Sequence, residues 1–139
     1  MITEAEYSII STLPLFGGLE RDALEGLLEH SQPRNYSKGE MLFHRDDPAD
    51  CFYIVFDGWV KVFRENANGD EAVLGVFTGG ETVAEAAAFL GRGYPASAQA
   101  VEESRVLPVL SGPFRRHSET MPDVAMNMLA SMSKRMHHL

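Results

Sequence analysis

The feature that most constrains the fold is a strand that is apolar on both faces and is followed directly by a tight turn. In the segment 52–56, with sequence FYIVF, every side chain is apolar or aromatic. Successive side chains of a strand point to opposite faces, so this segment predicts a central strand covered on both sides. The dipeptide Asp57-Gly58 that follows is typical of a hairpin turn.

Further strands and turns follow at short intervals along the chain. We expect additional strands at 59–64, 71–77, 97–101 and 105–110. Strands of about 5–8 residues with turns every ~8–12 residues are typical of β-sandwiches and jelly rolls. The sequence therefore predicts a mainly β fold, a double-stranded β-helix (jelly-roll) β-roll over about residues 38–110.

Helical patterns flank this β-roll and interrupt it once. Two short helices are expected within about residues 1–37, and C-terminal helices within about 111–139. Inside the β-roll, the segment 81–90 contains four alanines, which favour a short helix. The chain has 139 residues, which is the size of a single domain.

Composition limits the possible partners and the compartment. The net charge of −8 argues against this chain gripping nucleic acid by itself. Its single cysteine, Cys51, excludes an intrachain disulfide and a cysteine-bound iron–sulfur cluster. No apolar run approaches the ~20 residues of a membrane span, and the acidic N-terminus does not resemble a signal peptide. We therefore expect a cytoplasmic protein.

The sequence lacks the usual patterns of catalytic residues. A β-roll can resemble the metal-binding cupin barrels, but those sites need a His-x-His pair and a glutamate on adjacent strands. His44 is the only histidine in an expected strand. There is no nucleophile–histidine spacing and no phosphate-binding loop of the type Gly-x-x-x-x-Gly-Lys. We interpret the chain as a protein that is not an enzyme.

The segment 84–100, AEAAAFLGRGYPASAQA, has the composition of a ligand pocket. The carboxylate of Glu85 can hold a ligand hydroxyl, or it can satisfy backbone N–H groups at the start of the expected helix. The small side chains can line a pocket or allow close packing of the helix on the β-roll. The predicted effector pocket consists of Ala84, Glu85, Ala86, Tyr94, Ala96, Ser97 and Ala98.

The order of these elements resembles the effector domain of the Crp/Fnr family of bacterial transcription regulators. The similar motifs are Leu13-Pro-Leu-Phe16, the segments 38–43 and 52–62, and Pro122-Asp123 at the start of an apolar helix. The resemblance covers nearly the whole chain. It implies a sensor domain that binds a small effector and contacts DNA only through a helix-turn-helix domain, which this chain does not contain.

The resemblance also bears on which effector binds. Members of the family that bind cyclic nucleotides carry a Gly-Glu pair, a short helix and then Arg-Ser/Thr-Ala. Here Ala84-Glu85 occupies the first position and Ala96-Ser97-Ala98 the second. The glutamate that binds ribose is present, whereas Ala96 replaces the arginine that binds phosphate. We therefore expect no tight binding of cyclic AMP or cyclic GMP.

The sequences of segments 84–89 and 94–101 are most similar to those of the nitric-oxide-responsive, DNR-type branch of the family. That resemblance implies haem as the cofactor, with His44, His137 and His138 as candidate axial ligands. Two alternatives stay open at this point. The chain can be a cyclic-nucleotide-binding module, or a stand-alone dimerising module without a ligand.

The C-terminal segment carries an apolar stripe with the spacing of a coiled coil, which predicts a parallel homodimer. Its alternative is that the same stripe packs on the β-roll of its own chain. The seam consists of Ala125, Leu129, Met132, Met136 and Leu139.

Overall fold

The computed structural model describes residues 1–120 and residue 126. Within residues 1–120 the chain forms four α-helices, one short 3₁₀ helix at Pro14–Phe16, and eight strands. The α-helices are α1 (Glu4–Thr12), α2 (Arg21–Leu27), α3 (Glu85–Leu90) and α4 (Ser111–Thr120). The strands are β1 (Arg34–Tyr36), β2 (Met41–Phe43), β3 (Cys51–Asp57), β4 (Trp59–Glu65), β5 (Glu71–Thr78), β6 (Glu81–Val83), β7 (Ser97–Ala100) and β8 (Ser104–Leu110).

The strands form two four-stranded antiparallel sheets. One sheet has the order β1-β8-β3-β6 and the other the order β2-β7-β4-β5. Strands that are distant in the sequence lie side by side in each sheet, as expected for a jelly roll. The predicted mainly β jelly-roll fold is confirmed.

Strand β3 is covered on both faces, as its sequence predicts. Phe52 and Ile54 are fully buried among the apolar side chains of the helices. Tyr53 and Val55 point to the opposite face and belong to the apolar core inside the roll. The alternation along this one strand therefore separates a helix-facing core from an interior core.

Two boundaries differ from the expected ones. The roll begins at Arg34 rather than about Lys38, because β1 pairs with β8 from Arg34↔Val106 to Tyr36↔Ser104. Only the last residue of this short strand is buried, so it gives little apolar alternation to detect. The segment 81–83 is a strand that pairs with β3, and the predicted helix begins only at Glu85.

Helix α4 begins directly after β8, with Gly112 and Pro113 in its first turn, where proline is tolerated. The predicted helix from about Pro122 and the predicted dimer seam lie outside the described residues. Within the part of the chain that is described, no helix is long and apolar enough to cross a membrane.

Helix α1 is fastened to the roll through Glu6. This side chain closes a capping box with Thr3 at the N-terminus of α1. It also accepts hydrogen bonds from Nε and Nη2 of Arg105 on β8, at 2.5 and 3.2 Å. Glu6 is only 7% exposed. The hydrogen bonds from Arg105 hold the pKa of Glu6 below its usual value.

We expect Arg105→Gln to lower the free energy of unfolding at pH 7 by about 1–2 kcal/mol, because it removes a charged hydrogen-bond donor from the buried carboxylate of Glu6. The loss is no larger because solvent partly screens the charge of Arg105. A lowered pKa stabilises the fold above the unfolded value of about 4.3 and loses that contribution as the pH falls through the folded value. The difference between wild type and variant should therefore shrink in urea titrations repeated between pH 6 and pH 3. Arg21→Gln removes exposed ion pairs with Glu4 and Glu25 and a contact over the ring of Tyr7, and as the control at exposed charges it should cost less than Arg105→Gln. An equal effect of both variants would contradict this account.

Candidate effector cavity

A cavity of about 150 Å³ lies beside the start of α3, at the predicted effector pocket. Strands β2, β4, β5 and β6, helix α3 and the loop before β7 all contribute to its wall. Its lining residues are Phe43, Val62, Phe77, Thr82, Val83, Ala84, Glu85, Ala86, Ala87, Pro95 and Ala96. Thr82 and Glu85 carry the polar side chains of this wall, and the other lining side chains are apolar.

The backbone at Ala84 sets the direction of α3. Ala84 adopts the left-handed conformation, with φ 67° and ψ 20°, between the end of β6 and the first turn of the helix. A non-glycine residue in this conformation costs about 1 kcal/mol. The strain lies at the position where the related cassette carries glycine. The turn places Glu85 and Ala86 on the cavity wall.

Glu85 supplies the charge of the cavity. Its side chain is 3% exposed and lies at the first residue of α3, where a carboxylate is favoured by the helix dipole. Among the residues described for this wall, none is a lysine, an arginine or a histidine. A glutamate on this wall disfavours an anionic ligand, because like charges repel.

Ala96 is 2% exposed and contributes only a methyl group to the wall. The preceding carbonyl, that of Pro95, accepts a hydrogen bond from Nε of Arg64 at 2.9 Å. Arg64 is exposed and lines a different cleft together with Ser97 and Gln99. Arg92 is exposed in the turn before β7 and does not line the cavity.

Four of the seven predicted pocket residues lie together on the wall: Ala84, Glu85, Ala86 and Ala96. The structure places the other three outside this lining. Ala98 is fully buried in the interior core of the roll. Ser97 belongs to the opposite face of β7, where its hydroxyl accepts a hydrogen bond from the backbone N–H of Arg45 at 2.9 Å.

Tyr94 lies behind the wall rather than on it. Its ring stacks on Phe43 with centroids 3.8 Å apart, and its hydroxyl donates to the carbonyl of Cys51 at 2.6 Å. Phe43 also stacks on Tyr53 with centroids 5.5 Å apart. Burial raises the pKa of both tyrosines, so they stay neutral at pH 7. Tyr94 therefore supports the cavity by fixing the ring of Phe43.

Neither His30 nor His44 lines the cavity. His44 is largely exposed, lies 3.7 Å from the carboxylate of Asp47, and lines the same cleft as Ser97. His137 and His138 lie outside the described residues. No group of three His, Cys, Asp or Glu side chains that could hold a metal ion occurs in the described part of the chain. The described wall therefore does not fit haem, since it offers no axial ligand.

Seven further lining residues were not predicted from the sequence. Phe43, Val62 and Phe77 come from the distant strands β2, β4 and β5. The others lie close to α3 or β7 in the chain and are Thr82, Val83, Ala87 and Pro95. Period-two alternation predicts that such side chains share a face of their own strand, but it does not show which strands meet. The contribution of Phe43, Val62 and Phe77 follows from the sheet order β2-β7-β4-β5.

The jelly roll, the inserted helix α3 and the cavity beside it define a domain of the type that binds cyclic nucleotides or related effectors. The model of the cyclic nucleotide-binding domain family matches residues 33–119. The chain therefore belongs to the cyclic nucleotide-binding domain family, and its resemblance to the Crp/Fnr-type effector domains is confirmed.

Three relatives illustrate this membership. The sensor domain of the transcriptional regulator DNR from Pseudomonas aeruginosa is 31% identical, with a TM-score of 0.86 over 96% of this chain and 90% of that domain. The cyclic AMP receptor protein of Thermus thermophilus is 30% identical over 88% of this chain and 57% of its own length. The neuropathy target esterase sws of Drosophila melanogaster is 28% identical over 87% of this chain but only 9% of its own length. The chain thus spans about the whole of the DNR sensor domain but only part of the length of the other two relatives.

Proposed function

We propose that the chain is the effector-sensing domain of a Crp/Fnr-type transcription regulator, that it is not an enzyme, and that its effector is not a cyclic nucleotide. The observation that supports this function is the cavity wall, which combines apolar side chains with the buried carboxylate of Glu85 and places a methyl group, that of Ala96, where the related cassette has arginine. In the regulators that the chain resembles, DNA is bound by a separate helix-turn-helix domain. We propose that this effector domain acts on DNA only through a helix-turn-helix domain of that kind, and that it does so in the cytoplasm.

A cyclic nucleotide is disfavoured by its phosphate, which would meet the methyl group of Ala96 instead of an arginine. Truncating one member of a buried, hydrogen-bonded charge pair costs about 2–5 kcal/mol, which is about 30-fold to several thousand-fold in affinity. The carboxylate of Glu85 adds repulsion toward the phosphate. The cavity volume of about 150 Å³ is also below the ~300–1,000 Å³ of typical small-molecule sites.

We expect isothermal titration calorimetry of the 139-residue chain with cyclic AMP or cyclic GMP to show no saturable site at low micromolar nucleotide. The cyclic AMP receptor protein of Thermus thermophilus serves as the positive control under the same conditions. Submicromolar affinity of the chain for either nucleotide would contradict the proposed function and favour the alternative of a cyclic-nucleotide-binding module.

Haem-based sensing of nitric oxide is a second proposal, supported by the likeness to the DNR sensor domain. The described wall offers haem no axial ligand, so this proposal depends on His137 or His138, outside the described residues, or on a rearrangement that brings in His44. Absorbance after haem addition tests it. A Soret band that shifts with nitric oxide in wild type and is lost in the His137→Ala, His138→Ala double variant would support it, and no Soret band would reject it for this chain.

We also propose that the chain forms a parallel homodimer through the seam Ala125, Leu129, Met132, Met136 and Leu139. Replacing Met132 and Met136 together by glutamate should leave a folded monomer in light scattering, because two charges then lie in an apolar seam. The matched control places the same two charges off the seam, as Ser131→Glu with Ser133→Glu. A dimer that survives the first double change, or a monomeric wild type at high micromolar concentration, would assign the stripe to packing on its own β-roll.

A further inference from the structure

The volume and wall of the cavity limit the size of the group that can enter it. A cavity of about 150 Å³ equals an engineered apolar cavity of ~150 Å³ that binds benzene in another protein. One six-membered ring therefore fills the space between the walls, and a larger ligand has to project through the open side of the cavity. The alanine side chains Ala86, Ala87 and Ala96 are what leave this space open beside the larger side chains.

The inner side of the cavity is rigid. Phe43 is 6% exposed and is held in near-parallel stacking with Tyr94, whose ring is tilted by only 17°. The hydroxyl of Tyr94 is itself bonded to the backbone carbonyl and N–H of Cys51, at 2.6 and 3.3 Å. A ligand ring therefore meets the side chain of Phe43 held between other rings, and aromatic pairs favour edge-to-face or offset contact.

The outer side is different. Val62 and Phe77 are only partly buried. The ring of Phe77 lies over Gly75, where an added Cβ would approach its Cε2 and Cζ atoms to 3.0 and 3.1 Å. The ring can occupy this position because residue 75 has no side chain. Substituents that extend from a bound ring have their way out on this side.

Glu85 determines the polarity of the ligand. It is the charged residue among the described lining side chains, and it is 3% exposed. A carboxylate has about four acceptor positions, so it can accept a hydrogen bond from a ligand in addition to its contacts within the protein. A hydrogen bond to a charged group contributes about 1.5–3 kcal/mol, which is tenfold or more in affinity. An anionic ligand would instead be repelled.

Resting on the proposed function, we infer that the group bound in this cavity is a single, uncharged aromatic ring that carries one hydrogen-bond donor, as a phenol does. The ring contacts Phe43 and Phe77, and its donor bonds to the carboxylate of Glu85. Cyclic nucleotides do not match this description, since they carry a charged phosphate and a fused two-ring base.

The test compares three probes of similar ring size with the 139-residue chain by calorimetry and by NMR titration. Phenol should bind with saturation at about 1 mM or below, toluene about tenfold more weakly, and benzoate without detectable saturation. Equal affinities for phenol and toluene would overturn the role of the donor. Tighter binding of benzoate than of phenol would overturn the inference altogether.

Two variants place the binding in this cavity. Ala86→Leu fills part of it and should lower the affinity for phenol at least tenfold, whereas Ala5→Leu, at an exposed alanine of α1, should leave it unchanged. Glu85→Gln should reduce the preference for phenol over toluene; if this variant does not fold, the Ala86→Leu comparison still decides. An unchanged phenol affinity in Ala86→Leu would overturn the site.

The outcomes separate this inference from the proposed function. Suppose that phenol does not saturate while a larger compound such as 2-naphthol binds to the wild type and loses affinity in Ala86→Leu. In that case the single-ring size is wrong, and a non-nucleotide effector is still supported. If cyclic AMP binds with submicromolar affinity, the proposed function itself is wrong.

Discussion

Ala96→Arg should give the chain an affinity for cyclic AMP that is at least about 30-fold higher than that of the wild type, because it supplies the missing partner for a buried phosphate. The position is suitable, since Ala96 is 2% exposed and its side chain lines the cavity. The gain should lie near the lower end of the range of about 2–5 kcal/mol for such pairs, because the cavity must widen at Val62 and Phe77 to admit a whole nucleotide.

Glu85 also affects the unliganded state of this variant. The introduced guanidinium would share a cavity with its carboxylate, so the two charges can pair when no nucleotide is bound. Part of the attraction for phosphate is then offset by the loss of that pair. A titration at low and at moderate salt should show a higher affinity at low salt, because the partly open site is screened by ions.

The matched control is Ala96→Met, which adds a side chain of similar length without a charge. Calorimetry should detect cyclic AMP binding in the arginine variant and not in the methionine variant. If both variants bind the nucleotide equally, the gain comes from altered cavity shape rather than from charge. If neither binds, the loss of the arginine is not what separates this cavity from a nucleotide site.

Much of the fold could be predicted from the sequence because single strands report their own environment. The segment 52–56 is apolar at every position, and β3 is indeed covered on both faces. The start of α3 was harder to locate. The alanines of this segment favour a helix that begins at Glu81. Three backbone pairings with β3 instead keep residues 81–83 extended, and Ala84 in the left-handed conformation ends the strand. Tertiary pairing outweighs local propensity there.

The candidate cavity was only partly predictable for a related reason. Ala96, Ala98 and Ala100 are buried, whereas Ser97 and Gln99 lie on the other face of β7, so the alternation of small and polar side chains did contain the correct phase. The predicted pocket included consecutive residues from the loop before β7 and from β7 itself, although alternate side chains of a strand point to opposite faces. The rings of Phe43 and Phe77 come from other strands, and only the sheet order reveals their contact with the cavity.

The packing of α4 against the rest of the domain centres on one aromatic side chain. Phe114 of α4 is fully buried, and its ring meets three others edge-on: Phe52 at 5.2 Å, Phe89 at 5.3 Å and Phe16 at 5.8 Å. These partners belong to β3, to α3 and to the 3₁₀ helix after α1. Phe114 therefore joins the N-terminal helical segment, the central strand and the cavity helix to α4.

Phe114→Ala should lower the free energy of unfolding by about 3–5 kcal/mol, because it removes a fully buried ring and leaves a void among three aromatic partners. That loss is a large fraction of the ~5–15 kcal/mol that stabilises a typical domain. Urea denaturation at pH 7, followed by the fluorescence of Trp59 and by circular dichroism, measures it.

Phe114→Leu keeps most of the apolar volume and should cost less than the alanine variant. Leu90→Ala, at a side chain of α3 that is 63% exposed, controls for an apolar deletion outside the core and should change stability by about 0.5 kcal/mol or less. A loss below about 1 kcal/mol for Phe114→Ala would show that α4 does not depend on this ring for its packing against β3 and α3.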